Sequence, residues 1–244
     1  MRSTPPKASK NTDDEYTRSR DSKNLSSGER AVLRQLATQY ASKPELAGPM
    51  LAFLEAYLED LLHWTQDSNL VAQNDLGRLA SRHVAESLAV LPLLDRLAPS
   101  SLLDIGSGAG FPAIPIQIAR PELAVTVVES RRRKGLFLKR VVEGLELERA
   151  TVIVGRAENL GAEGAGPFDV ATARAVAVIG ELLPWLSPVI RPGGHAVLFK
   201  GSSHPEELEA WAKIGDPHWK HVETVPVADR HLHFVVFERL PDPA

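Results

Sequence analysis

At residue 101 the chain exchanges one hydrophobic period for another, and that switch restricts its possible folds more than any other feature. SLLDIG (101–106), AVTVVES (124–130), TVIVGRA (151–157), FDVATARA (168–175) and HAVLFKG (195–201) are short apolar runs. Stretches with helical spacing fall between most of them, among them PAIPIQIA (112–119) and PEELEAWAKI (205–214). Strands that alternate with helices lie parallel, and a parallel sheet needs helices on both faces. Two last runs, HVETVPV (221–227) and HFVVFERL (233–240), have no helical pattern between them and predict an antiparallel addition at one edge. The expected fold is therefore α/β, a doubly wound and mostly parallel sheet.

Upstream the pattern is helical. One helix is expected after Ser26 and Ser27, a second over 46–64 and a third over 76–96, making an N-terminal helical extension over 26–98 ahead of a domain spanning 99–244. Residues 1–25 are polar, mixed in charge and nearly free of aliphatics, so they are expected to form a disordered tail. No apolar run approaches the roughly 20 residues of a membrane span, and no signal-peptide core is present, which predicts a cytoplasmic protein with no membrane partner. The absence of cysteine excludes disulfides, thiolate nucleophiles and cysteine-ligated metals. A net charge of −3 means that any polyanion must be held by a local patch.

LLDIGSGAGFP (102–112) ends the first strand at Asp104 and turns through Gly106, Gly108 and Gly110. Alternating glycines at such a junction let bare backbone approach a ligand. The second strand ends at Glu129, where a carboxylate accepts from ribose hydroxyls. A dinucleotide fingerprint reads GxGxxG, whereas Phe111 stands here where the third glycine would fall. With Asp104 ahead of the loop, the pattern suits a ligand that has no phosphate and carries an ammonium, such as S-adenosylmethionine. The expected architecture is thus that of the class I S-adenosylmethionine-dependent methyltransferases. In GRAENL (155–160), Ala157 and Glu158 are placed to border an adenine, and Arg174 ends the fourth strand in a stretch where an unpaired arginine would be costly. Asp169 reads as a strand-start acid of structural purpose.

Methyl transfer from a sulfonium is a displacement in which alignment and exclusion of water do most of the work. Cytosine C5 needs a thiolate, and this chain has no cysteine. Exocyclic amines usually come with an Asn/Asp-Pro-Pro-aromatic loop, which ATARAVAV is not. A ring nitrogen such as guanine N7 needs no general base, and the chain shows none. One oddity fits an RNA substrate. Arg131, Arg132, Arg133 and Lys134 open a helix at the rim where Glu129 ends its strand, against the helix dipole. Phosphates there would compensate. Two other classes stay open on the residues alone: a nucleotide-dependent oxidoreductase, and an RNA- or ribosome-binding module with a vestigial cofactor pocket.

LLDIGSGAGFPAIPIQIARPE, VVES with its basic turn and FLKRV, GRAE, FDVATARAVA and LFKG recur in order, preceded by NLVAQ and SRHVAESL (69–88). In these motifs the chain resembles the glucose-inhibited division protein B family over residues 50–202. The resemblance implies an S-adenosylmethionine-dependent methyltransferase acting on N7 of a guanine in the 530 loop of 16S ribosomal RNA, with that RNA or the small ribosomal subunit as partner. It implies cofactor contacts from Gly106, Phe111, Ala157 and Glu158, with Arg174 at the edge of the site. It places Lys200 and the Arg82–His83 pair toward the RNA or the target base. Arg174, Lys200 and His83 are the positioning candidates, and no catalytic residue is assigned. Ala113 and the NLVA tetrad depart from the glycine and NLTA often found in the family. His231 and His233 have no ligand partners in sequence, so no metal is expected, and the chain is expected to be a monomer. The four tryptophans read as packing residues.

Overall fold

A computed structural model describes residues 24–228 and 230–242, so the expected tail lies outside the described residues except for Asn24 and Leu25. Helix α1 spans Ser27–Tyr40, and the Ser26 side chain caps it by accepting the Glu29 N–H at 3.2 Å. Helix α2 spans Ala47–Ser68 and buries Leu54, Tyr57, Leu58 and Leu61 completely. The single helix expected over 76–96 is instead broken into a 3₁₀ turn (Gln73–Arg78), a π-helical segment (Leu79–Val84), α3 (Ala85–Leu88) and α4 (Leu91–Leu97). Two physical causes are visible. The Glu29 carboxylate on α1 accepts the Ala80 and Ser81 N–H groups at 2.6 and 3.2 Å, satisfying donors that a continuous helix would use internally. Pro92, in the first turn of α4, has no N–H to continue the ladder.

The sheet follows: β1 (Ser101–Ile105), α5 (Ala113–Ala119), β2 (Ala124–Glu129), α6 (Arg132–Gly144), β3 (Ala150–Val154), β4 (Phe168–Arg174), α7 (Ile179–Leu186), β5 (Ile190–Lys200), α8 (His204–Ile214), β6 (Trp219–Pro226) and β7 (His233–Arg239). Its order is β3-β2-β1-β4-β5-β7-β6. The first five strands are parallel, and β7 runs antiparallel between β5 and β6, so the last strand inserts beside β5 and pushes β6 to the edge.

Side-chain alternation divides the core in two. Leu102, Val170, Val197 and Val236 face the N-terminal helices together with Ile114 and Phe137. Their chain neighbours Leu103, Ala171, Leu198 and Phe237 face Leu182 and Leu183 of α7 on the opposite side. The helical section and the sheet thus share one hydrophobic core. Among the described residues no helix is long and apolar enough to cross a membrane.

Candidate active site at the carboxyl ends of the strands

Strand β1 runs into the glycine turn, where Gly106, Gly108 and Gly110 have φ of 68°, 62° and 105°. Gly110 has no room for a side chain. A Cβ there would lie 2.7 Å from Ile114 Cγ1, 3.0 Å from the Tyr57 hydroxyl and 3.1 Å from Leu138 Cδ2. From α2, Tyr57 reaches the same turn and donates to the Ala109 carbonyl at 2.8 Å. Tyr57 carries no local sequence signal, because its partner is 52 positions away.

Asp104 departs from its expected role as partner of a ligand ammonium. It is fully buried, and its carboxylate accepts from the Ser107 hydroxyl and from Thr172 Oγ1, the latter at 2.6 Å. Burial pushes its pKa up to about 6, against the hydrogen bonds from Ser107 and Thr172 and the Arg174 charge, which pull it down. Asp104 therefore braces the glycine turn against β4 and offers a ligand no surface. Glu129 also faces the turn: Oε2 accepts the Gly108 N–H at 2.9 Å and Oε1 the Arg131 N–H at 2.7 Å. Each oxygen retains a lone pair for a further donor.

Two cavities open at this end of the sheet. The smaller, about 200 Å³, lies between the tips of β2 and β3, and Gly106, Val128, Ala157, Glu158 and Trp185 are among its walls. It gathers Gly106, Ala157 and Glu158 in one place and adds Trp185, which also packs against the core as its sequence setting predicts. Glu158 also meets Arg156 at 3.0 Å on the surface. The wall suits an adenosyl group: a bare backbone position at Gly106, where a Cβ would fall 2.6 Å from Val176 Cγ2, an indole ring, and a carboxylate for an amine. The larger cavity is a cleft of about 1010 Å³ reaching from Arg78 and Arg82 to Lys200 and Arg230. Val176 lines both.

The cleft floor is an ion-pair network. Arg174 donates to Glu86 and lies 3.1 Å from His83 Nδ1, with only 14% of its side chain exposed. Glu86 also lies 3.6 Å from Arg82 and 3.8 Å from Arg230. Arginine can only donate, so His83 Nδ1 accepts and the ring proton sits on Nε2, which points toward Asp75 at 3.6 Å. The His83 ring stacks on Phe111 with centroids 5.0 Å apart. Burial, reinforced by the Arg174 charge, holds the His83 pKa down to about 4 and keeps the ring neutral. Phe111, expected against a cofactor, is itself only 7% exposed, its ring packed between His83 and Tyr57.

Lys200 corrects another expectation. Rather than facing phosphate, its ammonium is buried and donates to the Ala177 carbonyl at 2.6 Å and to Glu207 at 2.8 Å. The β5–α8 turn returns Glu207 to β5, a fold-back that the local LFKG motif does not encode. Arg82 does line the cleft, with 42% of its side chain exposed while it pairs with Asp75 at 2.8 Å. Arg230, unforeseen from sequence, enters the cleft from the far end of the chain and donates to the Ser81 carbonyl at 2.8 Å, across 149 positions.

The basic helix start stands on the same rim. Arg131, Arg132 and Arg133 are exposed, whereas Lys134 is half-buried, its Nζ lying 3.7 Å from where a Gly108 Cβ would project. Burial lowers the Lys134 pKa against the opposing pull of Glu129. Among the described residues no cluster of His, Cys, Asp or Glu is arranged to hold a metal ion.

Solved structures with related folds include the O-methyltransferase from Bacillus cereus in complex with SAH (TM-score 0.52, 15% identity, covering 75% of this chain and 90% of that one). Another is the O-methyltransferase TomG from Streptomyces achromogenes, in complex with SAM (TM-score 0.52, 14% identity, 76% and 90%). At these identities the likeness is one of fold. Sequence relatives are nearer. The chain is 42% identical over 183 residues to ribosomal RNA small subunit methyltransferase G of Sorangium cellulosum, covering 74% of this chain and 77% of that one. It is 35% identical over 202 residues to the protein of that name from Lactococcus lactis, covering 78% and 84%. The model of the GidB family, rRNA small subunit methyltransferase G, matches residues 50–234. With this match over most of its length and relatives at 35% and 42% identity, the chain belongs to the rRNA small subunit methyltransferase G family.

Proposed function

We propose that this chain transfers a methyl group from S-adenosylmethionine to N7 of a guanine in the 530 loop of 16S ribosomal RNA. The observation that carries the reading is that one residue, Val176, lines both cavities and packs against Gly106 of the glycine turn. A smaller cavity suited to an adenosyl group and a larger cleft share that wall, so groups held in the two would be neighbours, as a direct displacement requires.

Bound S-adenosylmethionine supplies an electrophilic methyl on a sulfonium. The chain's own residues position and shield. Trp185, Ala157 and Glu158 would border the adenine, Glu129 would accept from the ribose, and the Gly106–Gly110 backbone would carry the methionyl part. The N7 lone pair forms the new bond to carbon as the carbon–sulfur bond breaks and its electron pair stays on sulfur. No proton is removed, so no general base is needed. The methylated base would carry the positive charge that the site must tolerate. Arg174 is paired with Glu86, and His83 is neutral, which limits the repulsion that charge meets. RNA phosphates lie along Arg82, Arg230 and the rim formed by Arg131, Arg132, Arg133 and Lys134.

The test is transfer of labelled methyl by the purified chain to protein-free 16S RNA and to small subunits, followed by chain cleavage at N7-methylguanine. Label at a guanine of the 530 loop is expected. No incorporation into either substrate would overturn the proposal.

A further inference from the structure

Among the described residues three carboxylates line the cleft, and they differ in how they are used. Glu86 is taken by Arg174, Arg82 and Arg230. Glu207 is taken by Lys200 and by the Ile179 N–H at 3.1 Å, and it also accepts the Ser203 hydroxyl at 3.2 Å. Glu181, in the first turn of α7, is exposed, and its side chain makes no hydrogen bond or ion pair among the described residues. Of these three it is the one free to accept from something that enters.

Its place in the cleft gives that acceptor a purpose. Val176, 36% exposed, lines the smaller cavity, while Val178, 49% exposed, follows in the larger cleft and precedes α7. Glu181 stands one helical turn beyond Val178. Val176, Val178 and Glu181 thus follow one another along the chain in the wall of the cleft, starting from the residue shared with the smaller cavity. A purine that offers N7 at the Val176 end presents its opposite, Watson–Crick edge to the other end. Guanine alone among the four bases carries two adjacent donors on that edge, N1–H and the N2 amine, which fit the two oxygens of one carboxylate. Enzymes that act on an unstacked base read it at that edge.

Resting on the guanine-N7 reading above, we propose that Glu181 is the specificity-determining residue that selects guanine, accepting from N1–H and the N2 amine. The test compares methyl transfer to 16S RNA carrying guanosine or inosine at the target position. Inosine keeps N7 and N1–H and lacks only the N2 amine. The wild-type chain is expected to prefer guanosine in kcat/KM by about 10- to 100-fold. Glu181→Ala should lower transfer to guanosine RNA and erase the preference, and Glu181→Gln should leave only part of it, with S-adenosylhomocysteine affinity unchanged in both. A full preference retained by Glu181→Ala, or no preference in the wild type, overturns the inference while leaving the methylation reading intact. No transfer to guanosine RNA by the wild type refutes that reading and the inference with it.

Discussion

Asp169 and Asp104 sit on neighbouring strands at opposite ends of the sheet, and their surroundings drive them in opposite directions. At the amino end, Asp169 accepts from the Ser100 and Ser101 N–H groups and both their hydroxyls, and from Arg191 Nε at 2.6 Å. Although its burial works the other way, those hydrogen bonds hold its carboxyl well below the usual range. At the carboxyl end, Asp104 is more deeply buried with fewer donors, and its pKa rises to about 6. One end satisfies its polar groups by closing on itself. The other accepts an electrostatic cost to hold a turn beside the candidate cofactor cavity, as expected where ligands bind at the carboxyl ends of strands in open α/β sheets.

The sharpest way to break this comparison is to fill the turn. Gly110→Ala places a Cβ in a region of positive φ and against Ile114, Tyr57 and Leu138. It should cost more than about 2 kcal/mol of stability and abolish measurable S-adenosylhomocysteine binding, by urea denaturation and titration calorimetry. Gly215→Ala, also at positive φ but with nothing within 4 Å, should cost less and spare binding.

Removing Glu86 comes next. Glu86→Ala strands Arg174, 14% exposed, beside Arg82 and Arg230, and should destabilise by about 3 kcal/mol. Methyl transfer should fall further than cofactor affinity, because the network floors the cleft rather than the smaller cavity. Equal losses in both would merge the two cavities into a single function.

The aspartates themselves give opposite pH signs. Asp104 has a folded pKa above its unfolded value near 3.8, so its contribution is full below about pH 4 and is lost as pH rises through about 6. Asp169 has a depressed folded pKa, so its contribution is full above the unfolded value and lost as pH falls through the folded one. His83, lowered from 6.5 to about 4, also loses stability as pH falls across that interval, and so opposes Asp104 in the same window. The difference between wild type and Asp104→Asn isolates the aspartate: the variant should gain on the order of 2 kcal/mol relative to wild type between pH 4 and pH 7. Denaturation curves at the two pH values measure it, and a constant difference would contradict the assignment.

The smallest effect concerns the rim. Changing Arg131, Arg132 and Arg133 together to alanine should weaken RNA binding about tenfold and flatten its salt dependence, with cofactor affinity nearly unchanged. Unaltered RNA affinity would return the cluster to a solvated surface.

The parts of this site legible in sequence are those written locally. The strand runs, the alternating glycines and Arg174 at the end of β4 needed only their neighbours to be read. Tyr57, Arg230 and the true position of Lys200 did not, because each takes its meaning from a distant partner or a fold-back: Ala109 for Tyr57, Ser81 for Arg230, Glu207 for Lys200. The helix expected over 76–96 is broken for a similar reason, since the Glu29 carboxylate that interrupts it lies 51 positions upstream of Ala80. Asp104 shows a different limit. Its identity was readable, but whether it faces ligand or core depends on Thr172, which the parallel pairing of β1 with β4 places directly beside it.

The central claim is that the open, carboxyl end of the sheet methylates guanine N7 in small-subunit RNA. It is tested most directly by mapping N7-methylguanine by borohydride–aniline cleavage in 16S RNA from cells lacking this chain. The cells are complemented in turn with the wild type and with Gly110→Ala. The account predicts that one cleavage in the 530 loop disappears in the deletion, returns with the wild type and stays absent with the variant. A cleavage pattern unchanged by the deletion would contradict it.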